Sequence, residues 1–330
     1  MTKKYKVGFI GTGMMAQYHL SLLKKMVRNK KIPEFNLIGC YDTQLKKSTW
    51  FSKLNHCKNY QSFKKFISEG SPDIVYLCTP PFARINYETV LIKRNINYFV
   101  EKPPTICSQY RLLRHLTSDK LKKIFIQPGF QWRYFDFNKN LKNFIKNDQI
   151  RLVIGSRLNP LPFHDWRLDK SLSGGPIFDR VIHMVDFCKF IFGGNLKILK
   201  HYQNRCVLSK KIDKKCNLSD SEILIFKIND ILCNISTANY LQGNNILEMK
   251  FIGKENIYKI FLNRPNLMVL QIINNNKIIK EFTEQKDQAF ERENIIFWQS
   301  IFKNKDLGLV DYRECLRLAS LIKKALKCNC

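Results

Sequence analysis

The sequence predicts an α/β protein: an N-terminal, doubly wound parallel sheet followed by an α+β domain with an open, mainly antiparallel sheet. Two patterns carry that reading. Over the first third of the chain, short apolar runs alternate with helix-length stretches, the rhythm of βαβ units. From about 198 to 285 the rhythm becomes period-two alternation broken by turn residues, and two helical stretches close the chain. At 330 residues the chain can build two cores, and the change of rhythm divides it into 1–127 and 128–330.

Each element follows from its local pattern. Lys6–Ile10 is the first strand, with a helix over 16–27, and Phe35–Tyr41 is the second, with a helix over 43–54. A helix over 62–68 leads through Gly70-Ser71-Pro72 to the strand Ile74–Cys78, which Thr79-Pro80-Pro81 ends. A helix over 87–94, the strand Asn97–Val100, a helix over 108–117 and a strand over 123–127 complete the first sheet. Beyond it come a helix over 138–146, the strand Leu152–Leu158 and a helix over 176–192 that Gly193-Gly194 stops. In the strand-rich stretch, turns fall at Asn229-Asp230, Gln242-Gly243-Asn244 and Asn263-Arg264-Pro265, and helices over 289–303 and 312–326 follow.

Composition excludes several classes. Hydrophobic content of 45% and charged content of 25% are those of a globular protein, and no apolar run approaches the ~18–20 residues of a membrane span. No signal-peptide pattern precedes the first strand, so the expectation is a cytoplasmic protein with no membrane partner. The 11 cysteines are odd in number and scattered, and Cys40, Cys78 and Cys233 lie in apolar runs. They read as small buried hydrophobes of a reducing compartment. Neither Cys328 with Cys330 nor His56 with Cys57 has a second ligand pair nearby, so no metal is expected. The net charge of +29 comes from dispersed doublets such as Lys24-Lys25, Lys46-Lys47 and Lys122-Lys123 rather than from one basic arm. That distribution argues for compositional bias and against a nucleic-acid partner.

Three groups of residues carry chemistry. Gly11-Thr12-Gly13-Met14-Met15-Ala16 follows the first strand and opens a helix, and its small residues match the G-x-G-x-x-G/A spacing. There the first glycine makes the turn, the second admits a pyrophosphate, and Ala16 lets helix and strand approach. Gly11, Thr12, Gly13, Met14 and Met15 are therefore the candidate phosphate cradle of a Rossmann domain. Asp42 ends the second strand, where a carboxylate accepts ribose hydroxyls and repels a 2′-phosphate, which favours NAD. Lys46 and Lys47 leave NADP possible. The second group is Glu101-Lys102-Pro103 at the carboxyl end of a parallel strand, where ligands of such sheets bind. Pro103 holds Lys102 extended, and the lysine is a candidate catalytic cation. The third is Gly174-Gly175 followed by Asp179, His183 and Asp186 at helical spacing, with Asp179 placed to orient His183 as an acid/base.

In order and spacing, Gly8 to Ala16, Cys78-Thr79-Pro80, Glu101-Lys102-Pro103 and Gly174-Gly175…Asp179…His183…Asp186 resemble the Gfo/Idh/MocA oxidoreductases. That is the family of glucose–fructose oxidoreductase and inositol dehydrogenase. Gly129-Phe130-Gln131-Trp132-Arg133-Tyr134 and Trp166-Arg167 also look like family segments, and the resemblance covers nearly the whole chain.

The resemblance implies an NAD(P)-dependent dehydrogenase or reductase acting on a sugar, a cyclitol or other polyol, or a nucleotide sugar. The turn residues, Asp42, Thr79, Pro80, Glu101 and Lys102 would hold the cofactor, and Arg133, Trp166, Arg167, Asp179 and His183 the substrate. Lys102 would hydrogen-bond the reacting oxygen, His183 would act as acid/base, and Asp179 would position substrate or histidine. The open sheet face would pack in a homodimer or homotetramer. Arg84 stands where the family commonly carries a histidine. A catalytically inactive NAD-binding sensor or assembly protein of the same fold is the competing reading.

Overall fold

The computed structural model describes residues 4–103, 124–160, 166–204, 216–239 and 245–327. The helix expected over 108–117 and the turn at Gln242-Gly243-Asn244 lie outside them. The chain divides into two compact units, Met1–Gly129 with Glu291–Leu316, and Phe130–Phe290 with Arg317–Cys330. Residues Glu291–Leu316, which the sequence division leaves in 128–330, pack with the first unit.

The first unit is built on five parallel strands, β1 (Tyr5–Ile10), β2 (Phe35–Tyr41), β3 (Ile74–Leu77), β4 (Asn97–Val100) and β5 (Ile126–Pro128), in the order β2-β1-β3-β4-β5. The helices are α1 (Met14–Arg28), α2 (Leu45–Asn55), α3 (Phe63–Ser68) and α4 (Arg84–Lys93). Both faces of the sheet are buried, which explains why its strands read as continuous apolar runs. On one face Phe9, Tyr76 and Phe99 from adjacent strands stack, with centroids 5.2 and 5.4 Å apart. The fully buried Tyr76 hydroxyl donates to Asn294 Oδ1 (2.8 Å) and accepts from Trp298 Nε1 (3.1 Å), so its polar tip is satisfied inside the core. The other face is the aliphatic layer of Val75, Leu77 and Val100 against Phe66, Leu91 and Ile92. The chain leaves β1 for β2 and then crosses back to β3. The carboxyl ends of β1 and β3 thus form the switch point at which sheets of this kind bind ligands.

The second unit carries α5 (Phe137–Ile145), β6 (Leu152–Leu158), the short helix α6 (Lys170–Ser173), a π-helical turn (Ile177–Val181) and α7 (Ile182–Phe192). Seven further strands follow: β7 (Leu196–Gln203), β8 (Ser221–Ile228), β9 (Ile231–Ala238), β10 (Ile246–Ile252), β11 (Ile257–Arg264), β12 (Leu267–Asn274) and β13 (Lys277–Gln285). The eight strands run β13-β12-β11-β10-β6-β9-β8-β7, and every pairing is antiparallel except β6 with β9. Burial alternates along β8, β9 and β10, so one face is covered and the other open. Helix α7 lies on the covered face. A Cβ on Gly155 would sit 2.6 Å from Met184 Cε and 3.2 Å from Ile235 Cγ1, so the helix side chains pack close over the strand at this glycine. Helices α8 (Lys286–Lys303) and α9 (Tyr312–Lys327) close the described chain. No helix among the described residues is long and apolar enough to cross a membrane.

Candidate functional site

In the first unit, the residues the sequence singles out gather along the carboxyl edge of the parallel sheet. Gly11 follows β1 with φ +83°, and a Cβ there would lie 2.7 Å from the Thr79 backbone nitrogen. Glycine is required on both counts. Gly13 differs: its φ is an ordinary −72°, and a Cβ there would meet nothing within 4 Å. The glycine therefore preserves open space rather than an unusual backbone. It caps the 15-residue α1, whose N-terminus has no side-chain cap, leaving first-turn N–H groups and the positive end of the helix dipole toward that space. Met14 is 80% exposed beside it, and Ala16 is fully buried against the sheet. At the end of β3, buried Thr79 keeps an Oγ1 with no hydrogen-bond partner. An open cradle at a helix N-terminus, edged by an unsatisfied hydroxyl, fits the pyrophosphate of a dinucleotide.

Asp42 is bound into this cradle. Its Oδ2 accepts from Thr12 N (2.8 Å) and Thr12 Oγ1 (3.0 Å), and its Oδ1 accepts from Gln44 N (2.8 Å). The carboxylate thereby fixes the glycine turn and the start of the β2–α2 connection. Each oxygen has two acceptor sites, so Oδ2 is filled and Oδ1 keeps one.

Glu101 and Lys102 follow β4, and the Lys102–Pro103 peptide is cis. Two residues that the sequence reading passed over or flagged only as a departure hold this segment. His19 lies on the buried stripe of α1 with Ala16 and Leu23, and its Nε2 is 2.8 Å from Glu101 Oε1. Burial raises the Glu101 pKa, but the His19 hydrogen bond and charge, then Arg84 and Lys102, outweigh it and hold the carboxyl below its ordinary value. Arg84, 3% exposed, donates from Nε to Thr79 O (2.8 Å) and from Nη1 to the carbonyls of Glu101 and Pro103. One guanidinium so ties the Thr79-Pro80 edge to the backbone on either side of Lys102. Burial holds it below the usual arginine range, with the Glu101 and Glu88 charges opposing.

In the second unit, the helix bearing His183 opens with the π turn Ile177–Val181, not with a regular α-turn. Such turns place side chains differently from the 3.6-residue repeat and recur at functional sites. Asp179 lies in that turn, with Arg167 Nε at 3.9 Å from one oxygen and Arg180 Nε at 3.7 Å from the other. Half-buried His183 stacks on Trp132, rings 6.1 Å apart and 16° from parallel, and meets the edge of Phe130 at 5.8 Å. Trp132 was noticed only as part of a segment, yet its ring lies nearly parallel to the imidazole. Arg133 makes a two-pronged pair with Asp186, from Nε to Oδ2 (2.9 Å) and from Nη2 to Oδ1 (2.6 Å), with Asp186 1% exposed. These two anchor the Gln131–Tyr134 turn to α7. Trp166 and Arg167 share one short turn, the guanidinium lying 4.7 Å from the indole centroid. Among the described residues no three His, Cys, Asp or Glu side chains cluster as metal ligands.

Comparison with known proteins agrees with this architecture. Residues 5–123 match the family model described as an oxidoreductase family with an NAD-binding Rossmann fold, Gfo/Idh/MocA. An uncharacterized oxidoreductase of Synechocystis sp. (strain ATCC 27184 / PCC 6803 / Kazusa) is 20% identical over 266 residues, 76% of this chain and 69% of the relative. The fold is shared with KijD10, a 3-ketoreductase from Actinomadura kijaniata solved with NADP and TDP-benzene (TM-score 0.82, 14% identity, 98% of each chain). It is shared also with the UDP-N-acetylglucosamine 3-dehydrogenase GnnA from Acidithiobacillus ferrooxidans (TM-score 0.73, 15% identity, 99% of this chain and 97% of that one). Residues 5–123 thus match the NAD-binding Rossmann domain of the Gfo/Idh/MocA oxidoreductase family, and the chain as a whole shares the fold of these solved enzymes.

Proposed function

We propose that the chain is an NAD-dependent dehydrogenase or reductase that moves a hydride between nicotinamide and the hydroxyl- or keto-bearing carbon of a sugar, polyol or nucleotide sugar. The observation that carries this reading is the carboxyl edge of the first sheet, where the open turn at Gly13, the unsatisfied Thr79 hydroxyl and Lys102 follow adjacent strands. Gly11, Thr12, Gly13, Met14 and Met15 would hold the pyrophosphate, with Thr79, Pro80 and Glu101 beside it. Asp42 would offer its remaining Oδ1 site to a ribose hydroxyl, and its charge disfavours the 2′-phosphate of NADP. The nicotinamide, when bound, supplies or accepts the hydride. Lys102 steadies the alkoxide that develops on the reacting oxygen, and His183 takes or returns its proton at a ring nitrogen. Trp132 and Phe130 restrict the tilt of that imidazole. Asp179 positions substrate, and Arg133 supports the site through Asp186.

The class of substrate rests on proteins of the same fold: GnnA is named a UDP-N-acetylglucosamine 3-dehydrogenase, and KijD10 is a 3-ketoreductase solved with TDP-benzene. The open sheet face bears exposed Ile154, Ile223 and Ile246, and supports a homodimer or homotetramer, which sedimentation would reveal. The test of function is nicotinamide turnover on a panel of nucleotide sugars, free sugars and polyols. His183→Asn and Lys102→Met should each lower kcat about 10²-fold or more while NADH still binds. Unchanged turnover in both variants refutes the assignment. NADH binding with no turnover anywhere in the panel favours the inactive sensor.

A further inference from the structure

The first unit carries an open cavity of about 680 Å³, where α1 ends, the chain enters β2 and α8 ends. Val27, Ile32, Pro33, Trp298 and Phe302 supply its apolar lining, and Gln299 is its one neutral polar side chain. Tyr5 and Phe35, the first residues of β1 and β2, pack on Trp298 at centroid distances of 6.0 and 5.8 Å. The cavity thus sits at the amino ends of these strands, and Gly11 lies about 20 Å farther along β1. Trp298 is fully buried, with its N–H given to Tyr76. Phe302 is 45% exposed and stands edge-on to Tyr5 at 5.3 Å. An aromatic ring half in water beside an apolar hollow is surface that a ligand can cover.

Charge at the mouth is one-sided. The nearby carboxylates are matched within the chain: Glu34 lies 2.7 Å from Lys4 Nζ, and Glu291 pairs with Lys31 and, at 3.7 Å, with Lys25. Among the described residues, the side chains of Arg28, Lys30 and Lys303 have no hydrogen-bond or ion-pair partner. Arg28 and Lys303 each end a helix, whose dipole offsets about half a charge. The mouth therefore stays positive around an apolar floor.

We propose that this cavity binds a small amphipathic carboxylate. Its hydrocarbon body lies against Ile32, Trp298 and Phe302, and its carboxylate meets Arg28, Lys30 and Lys303. The volume falls within the range of about 300–1,000 Å³ that small-molecule sites occupy. The Arg28 fork can take both carboxylate oxygens, while the two lysines act as point charges. A second copy of this chain, with its net charge of +29, would bring cations to cations, so charge selects a small anion over self-association. The inference goes beyond the dehydrogenase reading and is independent of it, because the cavity and the glycine turn stand at opposite ends of β1.

The test is calorimetric titration with decanoate, kept below its micelle concentration, without NADH and with NADH in excess. Saturable binding of equal affinity in the two conditions is expected. Phe302→Glu removes an apolar wall and adds a like charge, and should weaken decanoate about tenfold or more. Phe302→Leu keeps the wall and should stay within a few-fold of the parent, which separates lost binding from lost folding. Arg28→Gln and Lys303→Gln should each weaken binding about two- to fivefold, the scale of an exposed ion pair. Replacing Lys64 and Lys65 together by glutamine removes two exposed charges from α3, on the aliphatic face of the sheet, and should leave the affinity unchanged. A loss in that control equal to the loss at Arg28 and Lys303 shows attraction to the net charge alone and overturns the proposal. So do the absence of saturable binding, an affinity that NADH abolishes, unchanged affinity in Phe302→Glu, and decylammonium binding as tightly as decanoate. Tighter binding of naphthoate than decanoate identifies an aromatic acid as the ligand, and the reverse order identifies an acyl chain.

Discussion

Replacing Arg84 by methionine isolates what the buried guanidinium does. The side chains are similar in length, so packing is largely kept, while three hydrogen bonds to the carbonyls of Thr79, Glu101 and Pro103 vanish. Hydrogen bonds from charged groups contribute about 1.5–3 kcal/mol each, and a buried acceptor left bare costs about 1–3 kcal/mol. The three are not additive, because one residue makes them all. The carboxylates of Glu101 and Glu88 also lose a compensating cation, the situation in which removing one buried partner costs about 3–5 kcal/mol. Arg84→Met should therefore lower unfolding stability by about 3–5 kcal/mol in urea titration. It should also weaken NADH binding, because the backbone around Lys102 loses its tie to Thr79. Arg84→Lys, with a single ammonium, should recover only part of the loss. A cost below about 1 kcal/mol for Arg84→Met would refute the clamp.

Other consequences are equally specific. Glu88 is fully buried, and burial pushes its carboxyl up to about 7 from the ordinary 4.5, with the Tyr312 hydroxyl bond and the Arg84 charge opposing. The folded state then holds a proton that the unfolded chain releases, so this contribution is full below about 4.5 and is lost as pH rises through about 7. The loss is about 3 kcal/mol. In Glu88→Gln that pH dependence should disappear, read as the difference in unfolding free energy from the parent between about pH 5 and about pH 8. A pH-independent difference contradicts it. Asp186→Asn leaves the Arg133 guanidinium without its carboxylate and should destabilise by about 3–5 kcal/mol in the same assay. A loss under about 1 kcal/mol would show that the pair does not anchor α7.

Much of the architecture was legible because it rests on local rules. The strands of the first sheet are buried on both faces and stand out as apolar runs, and those of the second show period-two alternation. The glycine turn was legible because Gly11 and Gly13 answer to backbone geometry and space, which the sequence states directly. Pairings across long separations were not. Glu101 meets His19 across 82 residues and Asp186 meets Arg133 across 53, and neither partner carries a mark that distinguishes it from a helical histidine or a surface arginine. The π turn was hidden as well, since Ile177-Phe178-Asp179-Arg180-Val181 has the composition of ordinary helix. The Asn275-Asn276 turn between β12 and β13 could have been found, because both residues take positive φ and asparagine is among the few that do so readily.

Gly13 offers the most direct test of the central claim, that the turn after β1 anchors a dinucleotide. Its φ suits any residue and a Cβ there touches nothing in the chain, so Gly13→Val should still fold, losing about 1 kcal/mol because valine is a poorer N-cap than glycine. A valine would nonetheless fill the space kept for the pyrophosphate. Fluorescence titration with NADH should show saturable binding to the parent and at least a tenfold weaker affinity in the variant, a loss of about 1.4 kcal/mol or more. Equal NADH affinity in the two proteins, or no binding to the parent, would contradict the account.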